Sequence, residues 1–117
     1  LMSAGYHHFI IEQGATFGQT LTLKDSTGTV INLQGYTGSM QLRENPDSET
    51  LVLELSTSNS RMTMGGNAGT IALAVSATDT TALTASDGVF DLEISSGAGV
   101  ITRLIEGTYS IRRNISR

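Results

Sequence analysis

Cysteine is missing from all 117 residues, which removes disulfides, thiolate metal ligands and a cysteine nucleophile together and leaves the redox compartment undetermined. Tryptophan is missing too, and aromatic residues make up only 5% of the chain, so few rings exist on which a sugar could stack. Positive charge is scarce: seven basic residues stand against eleven acidic ones for a formal charge of −4. A phosphate-binding surface needs clustered cations, so a nucleic-acid partner is not expected. No apolar run approaches the ~20 residues that cross a bilayer, and the opening Leu1-Met2-Ser3-Ala4-Gly5 lacks a basic n-region and an apolar h-region, so no membrane partner is expected either. Leucine before Met2 is read either as a literally translated TTG start codon, pointing to a bacterial or phage gene, or as a cloning remnant. The chain has one proline, Pro46, placed where a surface loop is expected.

What is present is alternation. Phe90, Leu92 and Ile94 alternate with Asp91, Glu93 and Ser95, the period-2 pattern of a strand with one buried and one wet face. Ser96-Gly97-Ala98-Gly99 supplies glycines that reverse the chain, and the return strand places Ile101, Ile105, Tyr109 and Ile111 on one expected inner face. The same patterning predicts strands over 6–13, 16–24, 30–33, 36–44, around Leu51, Leu53 and Leu55, over 61–64 and over 70–75. Asp25-Ser26-Thr27-Gly28 reads as a turn rather than a calcium loop, because too few oxygen ligands accompany it. Gly65-Gly66-Asn67-Ala68-Gly69 reads as a hairpin turn rather than a phosphate cradle, since the following helix and the Gly-Lys-Ser/Thr of a P-loop are missing. One helical turn is expected over 77–83, capped by Ser76 or Thr78 and bringing Leu83 onto the core. Asp87-Gly88 is expected to turn the chain into the final hairpin.

Seven to nine short strands at roughly 8–12-residue spacing predict an all-β fold, an antiparallel immunoglobulin-like β-sandwich without the Cys and Trp landmarks of antibody domains. At this length the chain holds one core. We expect a flexible N-terminal arm over 1–5, a single sandwich domain over 6–111 and a basic C-terminal tail over 112–117.

Catalytic chemistry is not expected. Only His7 and His8 are suited to act as a base near neutral pH, and consecutive strand residues point to opposite faces, so one metal ion does not collect both. Asp91 and Glu93 share a face ~7 Å apart, a spacing found in glycosidases but also on any wet strand face. Neither a cofactor nor a metal is expected. Asn114-Ile115-Ser116 matches a glycosylation triplet, which carries little weight without a secretion signal.

Several segments in order, 9–17, 24–28, 32–43, 69–71, 76–80 and 88–94, form a pattern that resembles small β-sandwich virion proteins of tailed bacteriophages and is similar in scheme to the N-terminal domain of phage upper-baseplate proteins. The resemblance covers about residues 6–111 and rests on strands and turns rather than on chemical signatures. It implies a structural subunit of the virion, assembled in the bacterial host cytoplasm and present in symmetric copies in the tail or baseplate. There it would link fibres or wedge proteins to the tail through strand edges and terminal arms. Capsid decoration is the alternative role, and a carbohydrate-binding module or a small hydrolase are alternatives of other classes. Tyr6, His7, His8 and Phe9 on the leading strand and Arg112, Arg113 and Arg117 on the tail are the expected partner contacts.

Overall fold

The computed structural model of the chain describes residues 5–84 and 86–113. Its elements in order are β1 (Gly5–Glu12), β2 (Phe17–Thr22), β3 (Thr37–Arg43), β4 (Leu53–Ser56), β5 (Met62–Met64), β6 (Thr70–Val75), the helix α1 (Ala77–Thr81), β7 (Ser86–Ser95) and β8 (Ile101–Arg112). They form two sheets, one of five strands ordered β1-β8-β7-β3-β4 and one of three ordered β2-β6-β5. Alternating side chains of both sheets meet between them: Phe9 and Ile11, Met40 and Leu42, Phe90, Leu92 and Ile94 from the larger sheet face Phe17, Met62, Ile71, Leu73 and Val75 from the smaller. The predicted all-β sandwich with one short helix is the observed architecture.

Pairing is antiparallel throughout except at one edge, where β1 runs parallel to β8, from Gly5 opposite Ile105 to Glu12 opposite Arg112. Gly107 permits this approach. Its position lies so close to the backbone of His7 that any Cβ would collide with the His7 carbonyl. The paired region thus extends one residue past each expected limit, to Gly5 and to Arg112, while the rest of the expected arm and tail, 1–4 and 114–117, falls outside the described residues.

Three local expectations differ from what forms. Val30 to Leu33 is not a strand: Val30 makes a single bridge to Lys24, and the Asn32 side chain then accepts from the Gln34 N–H and turns the chain, with Leu33 fully buried beneath. Asp87 and Gly88 do not turn the chain. They lie inside β7 opposite Ser110 and Tyr109, and Gly88 is small because the Tyr109 ring and the Arg43 carbonyl occupy the space of a side chain. The third concerns the expected inner face of β8. A register shift between Leu92 and Glu93 makes Leu92 pair with Ile105 but Glu93 with Arg103. The residue left over is Leu104, which is buried, while Ile101 is 67% exposed. This β-bulge changes the phase of the strand, which strict alternation does not anticipate.

The helical turn forms as expected, with Ser76 as its N-cap accepting from the Asp79 N–H. Its fully buried residue is Thr80. The Thr80 hydroxyl donates to the Ala15 carbonyl at 2.8 Å and accepts from the Gly14 N–H at 3.1 Å, and Gln13 Nε2 donates to the Leu83 carbonyl. Together these bonds fasten the turn between β1 and β2 to the helix.

Candidate functional site

The expected contact residues fall along the β1 edge of the five-stranded sheet. His7 and His8 are exposed and lie on opposite faces, as alternation requires. The His7 ring rests on the Phe9 ring with centroids 4.4 Å apart. His8 lies across β8 on the outer face, its Nδ1 2.6 Å from Thr108 Oγ1 and its Nε2 3.3 Å from Ser110 Oγ. A protonated imidazole would donate to both hydroxyls, whereas a neutral one donates at one nitrogen and accepts at the other. No group of three His, Asp or Glu gathers around either ring among the described residues.

Phe9 corrects one expectation: it is 1% exposed and packs against Phe17 and Phe90, so it anchors β1 and offers no surface to a partner. Arg112 ends β8 opposite Glu12, and Arg113 follows it, exposed. In the parallel register His8 and Arg112 stand four rungs apart, about 13 Å, so the two expected contact groups share one edge without forming one cluster. The side chain of Tyr6 and all of Arg117 lie outside what the structure describes, as does Asn114.

The outer face of the larger sheet carries a row of polar and charged side chains. Register sets Glu54, Gln41, Asp91 and Glu106 side by side across β4, β3, β7 and β8. Gln41 donates to Glu54 at 2.9 Å and accepts from Arg43 at 3.0 Å, and Arg103 approaches Asp91 at 3.6 Å and Glu106 at 4.0 Å. Gln41, Arg43, Asp91, Arg103 and Glu106 border an open concavity of about 560 Å³. One cation, Arg103, therefore sits between two of the carboxylates here, including Asp91, one of the pair considered for glycoside chemistry. The three phenylalanines and Tyr109 face inward, so these rings supply no platform for a sugar.

Two carboxyls and one phenol are shifted. The Thr27 hydroxyl beside Asp25, helped by the N–H groups of Thr29 and Thr27, holds that carboxyl below its ordinary range. Asp25 Oδ1 accepts from Thr27 Oγ1 at 2.6 Å and from the Thr27 and Thr29 N–H groups, so the carboxylate is spent inside its own turn. Arg61 lowers Asp79 by a hydrogen bond at 2.9 Å, joining the segment before β5 to α1. Burial pushes the Tyr109 phenol up, with Glu44 and Asp87 adding to the rise and Ser86 opposing it. Ser86 is near Tyr109 without bond geometry, since the buried phenol oxygen has no hydrogen-bond partner among the described residues.

Periodicity missed one surface, the tip of the β7–β8 hairpin, where Val100 is 60% and Ile101 67% exposed. Ile101 borders a second open groove with Thr37, Ser39, Ser56 and Thr57. The available signal was phase: Ile101 and Leu104 cannot both face inward in a strand of strict period two.

Comparison with family models and with curated proteins finds no match. Among solved structures the chain is similar to the extracellular domain of the voltage-gated sodium channel beta4 subunit, whose parallel homodimers explain a role of that subunit in cell–cell adhesion. The TM-score is 0.50 at 9% identity, over 98% of each chain. At that identity the likeness establishes the fold, an immunoglobulin-like β-sandwich of eight strands and one short helix.

Proposed function

We propose that the protein is a structural attachment module of a tailed-bacteriophage virion, present in symmetric copies in the tail or baseplate, where it joins fibres or wedge proteins to the tail. The observation that carries this reading is the placement of two unshielded surfaces toward opposite ends of a body 44 Å long and 25–28 Å across. The apolar hairpin tip Val100-Ile101 lies at the start of β8. The exposed cations Arg112 and Arg113 lie at its finish, eleven strand residues and about 36 Å away. A rigid sandwich with contacts at both ends acts as a spacer, and its partners are other virion proteins. No catalytic residue, cofactor or metal is part of the proposal.

Labelling the subunit in intact particles and imaging them by electron microscopy tests it. Label on the tail or baseplate is the expected result, and label spread over the shell would favour capsid decoration instead. Particles without label, or saturable glycan binding by the isolated monomer, would overturn the structural role.

A further inference from the structure

We propose that the protein self-associates through β1, pairing antiparallel with β1 of a second copy about a two-fold axis at Ile10. This goes beyond the virion role and does not depend on it. The Gln13 N–H donates to the Arg112 carbonyl at 3.0 Å, which directs the backbone of Gln13 toward β8. Backbone direction alternates along a strand, so Ile11, Phe9 and His7 also turn N–H and C=O toward β8, and His8, Ile10 and Glu12 turn theirs away. The crowding of Gly107 against the N, C and O atoms of His7 agrees with that assignment.

Among the described residues no strand follows β1 on this edge, and the Glu12 carbonyl there accepts from the Ala15 N–H at 3.2 Å, which leaves the N–H and C=O of His8 and Ile10 and the N–H of Glu12 for a second strand. The opposite edge of the same sheet is closed by side chains: Asn59 accepts from the Ser56 N–H, while Asn59 and Arg61 both donate to the Glu54 carbonyl. β1 is eight residues long, without proline, lysine or bulge, which are the usual guards of an edge strand. Ile10, an apolar side chain on its outer face, is 43% exposed.

The sequence of this edge selects its own copy. Antiparallel hydrogen-bonded pairing requires outward-directed residues to face each other, so even-numbered positions pair with even-numbered positions. The register centred on Ile10 places Ile10 against Ile10 of the second copy and His8 against Glu12 at both ends of the contact. Apolar meets apolar, and the His8 imidazole, turning from Thr108 and Ser110, meets a carboxylate twice, with about four N–H···O bonds, two between the Ile10 residues and one from each Glu12 N–H to the His8 carbonyl opposite. A contact that maps one patch onto itself closes as a dimer and leaves the hairpin tips of both copies free.

The native chain contains no cysteine, which permits a direct test on the full chain. Ile10→Cys should form a disulfide-linked dimer under mild oxidation, because residues opposed in a hydrogen-bonded pair lie about 5.5 Å apart at Cα, within disulfide reach. Leu51→Cys, 38% exposed outside this edge, should cross-link far more slowly. In sedimentation equilibrium the native chain should dimerise. His8→Glu should weaken the dimer about tenfold and His8→Lys should hold it within about threefold, with folding of each variant confirmed by circular dichroism. A native chain that stays monomeric at about 100 µM overturns the proposal. So does an Ile10→Cys variant that cross-links no faster than Leu51→Cys, or a dimer equally stable in His8→Glu and His8→Lys.

Discussion

Thr80 and Tyr109 are both buried polar residues, with opposite balances. The Thr80 hydroxyl makes three bonds, to the carbonyls of Ala15 and Ala77 and from the N–H of Gly14. Replacing it with the isosteric valine leaves two backbone groups of the β1–β2 turn unpaired. Thr80→Val should cost ~1–3 kcal/mol in urea denaturation, the usual penalty for stranding buried polar groups. The Tyr109 hydroxyl has no partner, so Tyr109→Phe should leave stability at pH 7 unchanged or raise it by up to ~1 kcal/mol. Its pH dependence follows from the raised phenol. Above the ordinary value of 10.0 the unfolded chain releases the proton first, so fewer protons are bound in the unfolded state and stability falls as pH climbs toward the folded value. Thermal unfolding between pH 9 and 11 should show a steeper alkaline loss in the native chain than in Tyr109→Phe.

Among the elements, β8 shows most plainly what a strand pattern reveals and what it hides. Tyr109 and Ile111 are buried as alternation predicts, and Ile105 is partly so. Upstream of the bulge the phase is broken, and Leu104 takes the inward place assigned to Ile101. Leu104→Ala should therefore cost ~2–4 kcal/mol as a buried cavity. Ile101→Ser should stay within ~0.5 kcal/mol as an exposed substitution, and comparing the two by thermal or urea unfolding checks the phase directly. A bulge is invisible to periodicity because it depends on which strand lies opposite, here the step from Leu92 to Glu93. The same holds for Gly88, whose Asp-Gly context reads as a turn and whose structural role is to admit the ring of Tyr109 from the neighbouring strand. Where one segment contains its own partners, the sequence was sufficient: Asp25 bonds to Thr27 and Thr29, and Ser76 caps Asp79.

For the whole molecule, the decisive feature is that one apolar cluster joins both sheets, drawing on residues from Phe9 to Ile111. Neither sheet keeps its buried face without the other. Urea unfolding followed by far-ultraviolet circular dichroism and by tyrosine fluorescence should therefore give coincident transitions, whereas two separated transitions would mean that the sheets come apart independently. The expected contact residues were partly legible. His7, His8, Arg112 and Arg113 are exposed, but Phe9 belongs to the core, and the hairpin tip was not foreseen.

The one-dimensional order of residues determined the fold class, most of the strands, the helical turn and the final hairpin, because each depends on alternation or turn chemistry within a dozen residues. The three-dimensional packing alone decided that β1 runs parallel to β8, that Leu104 displaces Ile101 and that β1 ends the sheet with outward-turned backbone. The first and last depend on contacts between residues about a hundred positions apart, and the second on the strand opposite in the hairpin. Strand pairing over such distances is chosen by how side chains fit across the sandwich rather than by any local preference.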